Sequence, residues 1–202
     1  MPVIESSAAL LILWGVIGYL LGSIPFGMVL ARAMGLGNLR KIGSGNIGAT
    51  NVLRTGNKTA AALTLLLDGA KGAVAVLLAR AMAAEDAAQV AGLMAMLGHC
   101  YPVWLRFNGG KGVATFLGIV LALVWPVGLG CCVAWLIGAL TSRISSVGAL
   151  AAGSVSTFLM VLFGAGNALL LGAVLTLLIF WRHRGNIKRI KAGTEPRIGR
   201  AA

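Results

Sequence analysis

Acidic side chains are scarce in this chain: Glu5, Asp68, Glu85, Asp86 and Glu195 are the only 5 carboxylates among 202 residues. Scattered so thinly, they form no sequence cluster that could hold a hard cation, so carboxylate-held metal chemistry fits poorly. Cysteine is rarer still. Cys100, Cys131 and Cys132 make an odd count without C-x-x-C spacing, which argues against disulfides and zinc and reads as small buried thiols. The 2 histidines, His99 and His183, stand far apart in sequence. Aromatics amount to 6% and do not alternate with basic residues, which argues against nucleic acid as a partner. Charge of either sign is only 11%, against about a quarter in a soluble domain.

What fills the chain instead is apolar. Hydrophobic residues make up 58%, and the mean hydropathy is +0.92, the composition of an integral membrane protein. The 17 Lys and Arg are therefore read first through the positive-inside rule. The N-terminus lacks a basic n-region, and the apolar run after Glu5 is too long for a signal h-region, so it reads as a retained first span.

That span runs over 8–33 and contains Pro25, which removes a backbone donor and kinks the helix. A polar connection follows over 35–58, carrying Arg40, Lys41, Arg54 and Lys58; a loop of roughly two dozen residues is usually functional or disordered. Span two covers 59–81. Asp68 and Lys71 lie inside it, three apart and so on one face, and read as a structural pair turned to the bundle interior. Span three covers 87–105 and ends in His99, Tyr101, Pro102, Val103 and Trp104. Two shorter runs, 113–124 and 127–140, fall below the ~20 residues of an unaided crossing and fit either two thin crossings or one long kinked span. Spans over 147–163 and 168–181 follow, then a basic tail from Arg182 to Arg200.

Charge bias favours separate crossings. With the N-terminus outside (periplasmic or extracellular) and about seven helices, the basic 32–58 segment, Arg106, Lys111, Arg143 and the tail all lie inside. Glu85-Asp86, Trp125-Pro126 and 164–167 then form the outer turns. The expectation is a single all-α polytopic membrane domain over 1–202 with a cytoplasmic C-terminus and a site facing the cytoplasm.

Three polar clusters fall on that inner face. Gly109-Gly110-Lys111-Gly112 precedes an apolar run: glycines can turn backbone N–H groups to one point, the following helix start is positive, and Lys111 adds a cation. A flexible turn with an orienting lysine is the plainer reading. It is not a nucleotide P-loop, because the four-residue spacer and the Ser/Thr after Gly-Lys are missing. Gly43-Ser44-Gly45-Asn46-Ile47-Gly48-Ala49-Thr50-Asn51, with Arg54 one turn on, matches G-x-G-x-x-G without the strand that motif needs. Its hydroxyls and amides suit a small polyol phosphate, and Arg54 can fork two donors onto phosphate oxygens; a capped turn is the alternative. Arg182-His183-Arg184-Gly185-Asn186 by itself reads as a juxtamembrane orientation signal. No acid is placed to complete a triad with Ser44 and His183.

Taken in order, Ser23-Ile24-Pro25-Phe26-Gly27, the Ser44 cluster, His99-Cys100-Tyr101-Pro102, the Lys111 turn continuing through Val113-Ala114-Thr115, and Arg182 to Ile190 with Gly193 and Glu195 beyond resemble the bacterial membrane glycerol-3-phosphate acyltransferases that use acyl phosphate, the PlsY family. The resemblance implies acyl transfer from acyl phosphate to the 1-hydroxyl of sn-glycerol 3-phosphate at the cell (inner) membrane, without cofactor or metal. It implicates Ser44, Arg54, Lys111, His183 and Asn186 in binding and catalysis. With these, the expected site has Ser44, His183 and Lys111 in catalysis. Arg54, Asn186, Asn46, Thr50, Gly109, Gly110, Gly112 and Ser145 are expected to bind substrate. In that arrangement Lys111 and the glycine amides hold the donor phosphate, and Arg54 and Asn186 hold glycerol 3-phosphate. The enzyme that forms the acyl phosphate is the expected protein partner. Either His183 or the departing phosphate accepts the proton. The competing readings are an organic-phosphate transporter or channel, which predicts a repeat and mid-membrane polar groups, and a lipid-phosphate transferase using a nucleotide-activated headgroup.

Overall fold

A computed structural model describes residues 2–198; Arg200, the last basic residue of the tail, lies outside them. Ten α-helices follow one another among the described residues: α1 Ala8–Ser23, α2 Phe26–Ala33, α3 Ala49–Leu53, α4 Lys58–Met82, α5 Glu85–Cys100, α6 Val113–Leu123, α7 Trp125–Ser142, α8 Ser145–Leu162, α9 Leu169–Arg182 and α10 Arg184–Lys191. The first span breaks where its proline demands. Ile24, ahead of Pro25, is extended, as a residue before proline is pushed to be, and α2 restarts beyond it.

Caps fix several starts. Ser7 Oγ accepts the Leu10 N–H at 3.3 Å, and Asn57 Oδ1 accepts the Ala60 N–H at 2.9 Å, each satisfying an otherwise orphan first-turn donor. Glu85 and Asp86 open α5, where the helix dipole favours negative charge. That helix ends at Cys100, five residues before the expected Leu105, because Pro102 cannot continue it; Val103–Leu105 form a separate 3₁₀ turn.

The paired runs over 113–140 are two helices and not one kinked rod. Val124 between them leaves the helical conformation, with φ −145° and ψ 85°. A Cβ on Gly128 would lie 2.5 Å from Leu121 Cα, whereas seven residues of continuous helix would separate them by about 10 Å. The chain turns back on itself there.

Small residues let the helices close up. Gly22 of α1 faces Ala95 of α5 so tightly that a Cβ would meet its carbonyl oxygen at 2.0 Å, and Gly118 of α6 meets the Gly69 carbonyl of α4 in the same way. Packing through Gly and Ala is how helices associate in lipid, where Leu gains nothing by burial. Ala75, Ala79, Ala87, Ala88, Ala91 and Ala95 are fully buried, while Leu140 is 74% and Leu177 70% exposed. Large apolar side chains therefore point outward over the whole belt, the reverse of a water-soluble domain. This is an integral membrane fold.

Among the described residues, four helical segments are long and apolar enough to cross a bilayer: Ala8–Ala33, Lys58–Met82, Trp125–Ser142 and Ser145–Leu162; the bent pair of α9 with α10, taken as one span, makes a fifth. The 16 residues of α5 and 11 of α6 reach only ~24 and ~17 Å at 1.5 Å per residue.

The two ends of the bundle differ. At one, Asp86 accepts the N–H groups of Glu5 and Ser6 at 2.9 and 2.8 Å and the Ser6 hydroxyl at 2.8 Å. Beside it Arg80 pairs with Glu85 and donates to the Ala122 carbonyl at the end of α6, and Gln89 reaches the Asn167 carbonyl. Thus 5–6, 80–89, 122–125 and 167 assemble at a single end. The 35–58 segment, the Lys111 turn and residues 182–198 gather at the other.

Candidate active site

Asn51 organises the 43–54 segment. Its side chain is buried; Oδ1 accepts the Ser44 N–H at 3.1 Å and the Arg54 guanidinium at 3.3 Å, with the Ser44 hydroxyl at 3.4 Å. Its amide nitrogen donates to the carbonyls of Leu39 and Asn46 at 2.9 and 2.7 Å. One side chain thereby sets the positions of both Ser44 and Arg54. Thr50, at the start of α3, shares a 3.0 Å hydroxyl contact with Ser145 at the start of α8, joining two distant stretches.

The Lys111 turn is built differently from its sequence expectation. The Gly109 and Gly110 amides donate to the carbonyls of Cys100 and His99, both at 3.1 Å, and their own carbonyls accept from Arg182 at 3.2 and 3.0 Å. Arg182 also stacks 4.9 Å from the Tyr101 ring. These two glycines shape the turn, and neither brings a free N–H to the cleft. Gly112 does line the cleft, with φ of +84°, a conformation open to glycine at little cost. It caps α6, whose first residues Val113 and Ala114 border the same space at the positive end of the helix dipole.

His183 sits at the 58° bend between α9 and α10 with its ring buried. Nδ1 lies 2.8 Å from the Ile179 carbonyl. A carbonyl only accepts, so Nδ1 carries the proton, and in the neutral ring Nε2 presents a lone pair. Burial first, and then the Lys111 cation, push the His183 pKa down to about 4, so the imidazole is neutral at pH 7. Burial also lowers the Lys111 ammonium to about 8, with Glu195 opposing and Arg189, Arg54 and Arg182 adding to the shift. It is still mostly a cation at neutral pH.

The tail folds back over this end. Glu195 accepts from Asn186 and from Ser146 Oγ and Arg189 Nε, the last two at 2.7 Å, and Ile198 N–H reaches the Arg143 carbonyl at 2.7 Å. Although burial raises its pKa, the hydrogen bonds from Asn186, Ser146 and Arg189 outweigh it and keep the carboxylate ionised. Asn186 therefore enters the cleft with its amide nitrogen already engaged.

These parts enclose a cleft of about 290 Å³. Ser44, Asn46, Thr50, Arg54, Lys111, Gly112, Ser145, His183 and Asn186 all line it, so nine of the eleven expected residues converge while Gly109 and Gly110 stand behind. The opposite wall is apolar: Leu65, Val113, Leu117, Cys132, Trp135 and Leu136 from α4, α6 and α7. Leu65 and Leu136 are about half exposed on the outer surface of the bundle, so this wall continues to the lipid-facing side. Asp68 and His99 close the inner end.

Asn51, Arg182 and Glu195 were missing from the expected set. Asn51 carried a signal in the density of amides around it, and Glu195 in being the lone carboxylate of a basic tail. Arg182 carried none, for nothing distinguishes it from its basic neighbours.

A cationic pocket joined to an apolar groove is the geometry of an enzyme acting on lipid phosphates, and comparison with known proteins agrees. The glycerol-3-phosphate acyltransferase family model matches residues 12–193. This chain belongs to that family. It is similar to glycerol-3-phosphate acyltransferases of Roseobacter denitrificans, 73% identical over 97% of this chain and 98% of the relative, and of Ruegeria pomeroyi, 70% identical over 98% of each. Among solved structures it resembles PlsY (YgiH), an integral membrane glycerol 3-phosphate acyltransferase, in its glycerol 3-phosphate form. The TM-score is 0.87 at 40% identity, over 94% of this chain and 96% of that one. The lysophosphatidic acid form of PlsY gives 0.84 at 38% identity, over 94% and 95%.

Proposed function

We propose that this cleft transfers an acyl group from acyl phosphate to the 1-hydroxyl of sn-glycerol 3-phosphate. The products are 1-acyl-sn-glycerol 3-phosphate (lysophosphatidic acid) and phosphate, a first step of phospholipid synthesis. The observation that carries this reading is the division of a single cleft. One half holds Lys111, Arg54 and neutral donors, with Glu195 already engaged by Asn186, Ser146 and Arg189; the other is an apolar wall leading to the lipid-facing surface. A dianionic polyol phosphate fits the first half, and an acylated phosphate with its chain among the helices needs both.

The chemistry asks little of the protein beyond placement. Acyl phosphate is a mixed anhydride, already activated, so positioning and charge neutralisation supply the rate. Lys111 and the first-turn amides of α6 neutralise the donor phosphate, while Arg54 and Asn186 hold glycerol 3-phosphate. The substrate hydroxyl, aligned by Ser44 and His183 Nε2, attacks the acyl carbon; the C–O bond to phosphate breaks and its electron pair leaves with phosphate. With a pKa of about 4 in the free site, His183 is a weaker proton acceptor than the departing phosphate, which leaves a dianionic donor as the trianion and becomes the hydrogen-phosphate dianion on taking the hydroxyl proton. The proton therefore ends on phosphate, and His183 orients.

The same reading places the site on the cytoplasmic side of the inner membrane, with seven crossings and the N-terminus outside. The gathering of Arg40, Arg54, Lys111 and the basic tail at one end supports it through the positive-inside rule, as does the acidic Glu85-Asp86 turn at the other. The enzyme that forms acyl phosphate would meet this face. One experiment tests the core claim: purified protein is given palmitoyl phosphate and glycerol 3-phosphate in excess chelator, and free phosphate is followed. Release dependent on both substrates is expected; absence of release, or a requirement for a divalent ion, overturns it.

A further inference from the structure

The sequence suggests that Asp68 and Lys71 merely neutralise each other, but the structure joins a third group to them. Asp68 Oδ1 binds Lys71 Nζ at 2.7 Å, and His99 Nδ1 stands 3.7 Å from the same oxygen. All three are at least nine-tenths buried. Lys71 also donates to the Ile24 carbonyl at 2.8 Å, a backbone group in the gap between α1 and α2 where Pro25 interrupts the hydrogen-bond ladder. Among the described residues, His99 Nδ1 is the single enclosed side-chain nitrogen or oxygen without a hydrogen-bond partner. An ion pair completed for stability alone would leave no such orphan, since each unpaired buried group costs free energy.

Two connections from this trio, through His99 and Asp68, lead to the Lys111 turn. The His99 carbonyl accepts the Gly110 N–H, and the His99 ring lies flush against Gly110: a Cβ there would sit 2.2 Å from Nε2. The Asp68 carbonyl accepts the Thr115 hydroxyl at 2.9 Å in the first turn of α6. Lys111 is thus held on both sides, one residue after Gly110 and four before Thr115. Both Asp68 and His99 border the cleft that Lys111 enters.

We propose that Asp68, Lys71 and His99 form a buried positioning centre for Lys111, in which the His99 ring, oriented by the Asp68 carboxylate, is the template that aims the turn. None of the three touches the reacting atoms. The orphan Nδ1 is the adjustable element: its gap to Asp68 closes when substrate draws the turn inward, as hydrogen bonds at catalytic sites lengthen in the empty enzyme and tighten on binding. This inference rests on the role given to Lys111 above.

The test uses the purified full-length protein with palmitoyl phosphate and glycerol 3-phosphate, comparing wild type with His99→Gln, Asp68→Asn and Lys111→Arg while thermal unfolding is followed in detergent. The expected result is at least a tenfold loss in kcat/KM for His99→Gln and Asp68→Asn, borne mainly by the same substrate that Lys111→Arg weakens, with melting midpoints close to wild type. Wild-type activity per folded molecule, or a loss spread evenly over both substrates, overturns the proposal. If the buried variants fail to fold, Gly110→Ala addresses the same contact from the side of the turn. A loss confined to that substrate supports the template, and wild-type kinetics refutes it. If Lys111→Arg itself leaves both substrates unaffected, the role of Lys111 fails first.

Discussion

The two ends of the bundle carry ionic groups of the same kinds and use them oppositely. At the Glu85 end three charges are committed: Asp86 to the backbone of Glu5 and Ser6, and Arg80 to Glu85 and to the last carbonyls of α6. At the Lys111 end, Arg54 contacts only the neutral amide of Asn51, and the Lys111 ammonium has no hydrogen-bond partner among the described residues, although it is crowded by Arg54, Arg182 and Arg189. Paired charge closes the scaffold, whereas a buried cation without a bonded anion waits for a ligand. The lowered pKa of Lys111 reflects its burial first and then the balance of Glu195 against three arginines; a dianionic ligand relieves it.

Removing the free cation is the strongest way to break this contrast. Lys111→Ala should lower phosphate release by about 10²–10³-fold and leave the melting profile in detergent intact; unfolding of the variant would make Lys111 a structural residue. Next comes pH. A lysine lowered to about 8 is cationic below that value and loses its charge as pH rises through it, so kcat/KM should fall on the alkaline side near pH 8. In Lys111→Arg, whose guanidinium stays protonated, that limb should disappear even though overall activity is reduced.

His183→Gln should cost about 10²-fold, within the span of a lost hydrogen-bonding or acid–base partner, and the remaining activity should keep the wild-type pH profile. A vanished acid limb would instead make His183 the base. The apolar wall should respond more mildly. Trp135→Ala is expected to shift the ratio of kcat/KM values for long over short acyl phosphates by about tenfold, in the range that one or two methylenes command, with KM for glycerol 3-phosphate unchanged. At the far end, Arg80→Ala removes a half-exposed pair with Glu85 worth about 0.2–1 kcal/mol together with two carbonyl contacts. A drop of a few degrees in melting midpoint and unchanged kinetics are expected; a large catalytic effect would erase the distinction between the ends.

Much of the fold was readable because lipid imposes simple patterns. Span two was expected over 59–81 and forms over Lys58–Met82; the kink at Pro25 and the Trp125-Pro126 corner are where proline chemistry puts them. The cleft was readable in part. Ser44, Arg54, Lys111, His183 and Asn186 do meet, although up to 142 positions separate them in the chain. Hydrogen-bond assignments were not readable. Whether a glycine N–H faces a ligand or a neighbouring carbonyl depends on where α5 ends, and the Gly109 and Gly110 amides went to Cys100 and His99. In the same way nothing local indicated that Glu195 would return to Asn186, Ser146 and Arg189, or that Asn51 would hold both Ser44 and Arg54.

The amino-acid sequence alone determined that this chain belongs in a bilayer, where its long apolar helices run and where proline breaks them, since hydropathy, proline and glycine act through neighbours within a few residues. Only the tertiary structure decided which amides and cations stay open to substrate. A donor is free or occupied according to what long-range packing places three ångströms away, and that partner can come from anywhere along the chain.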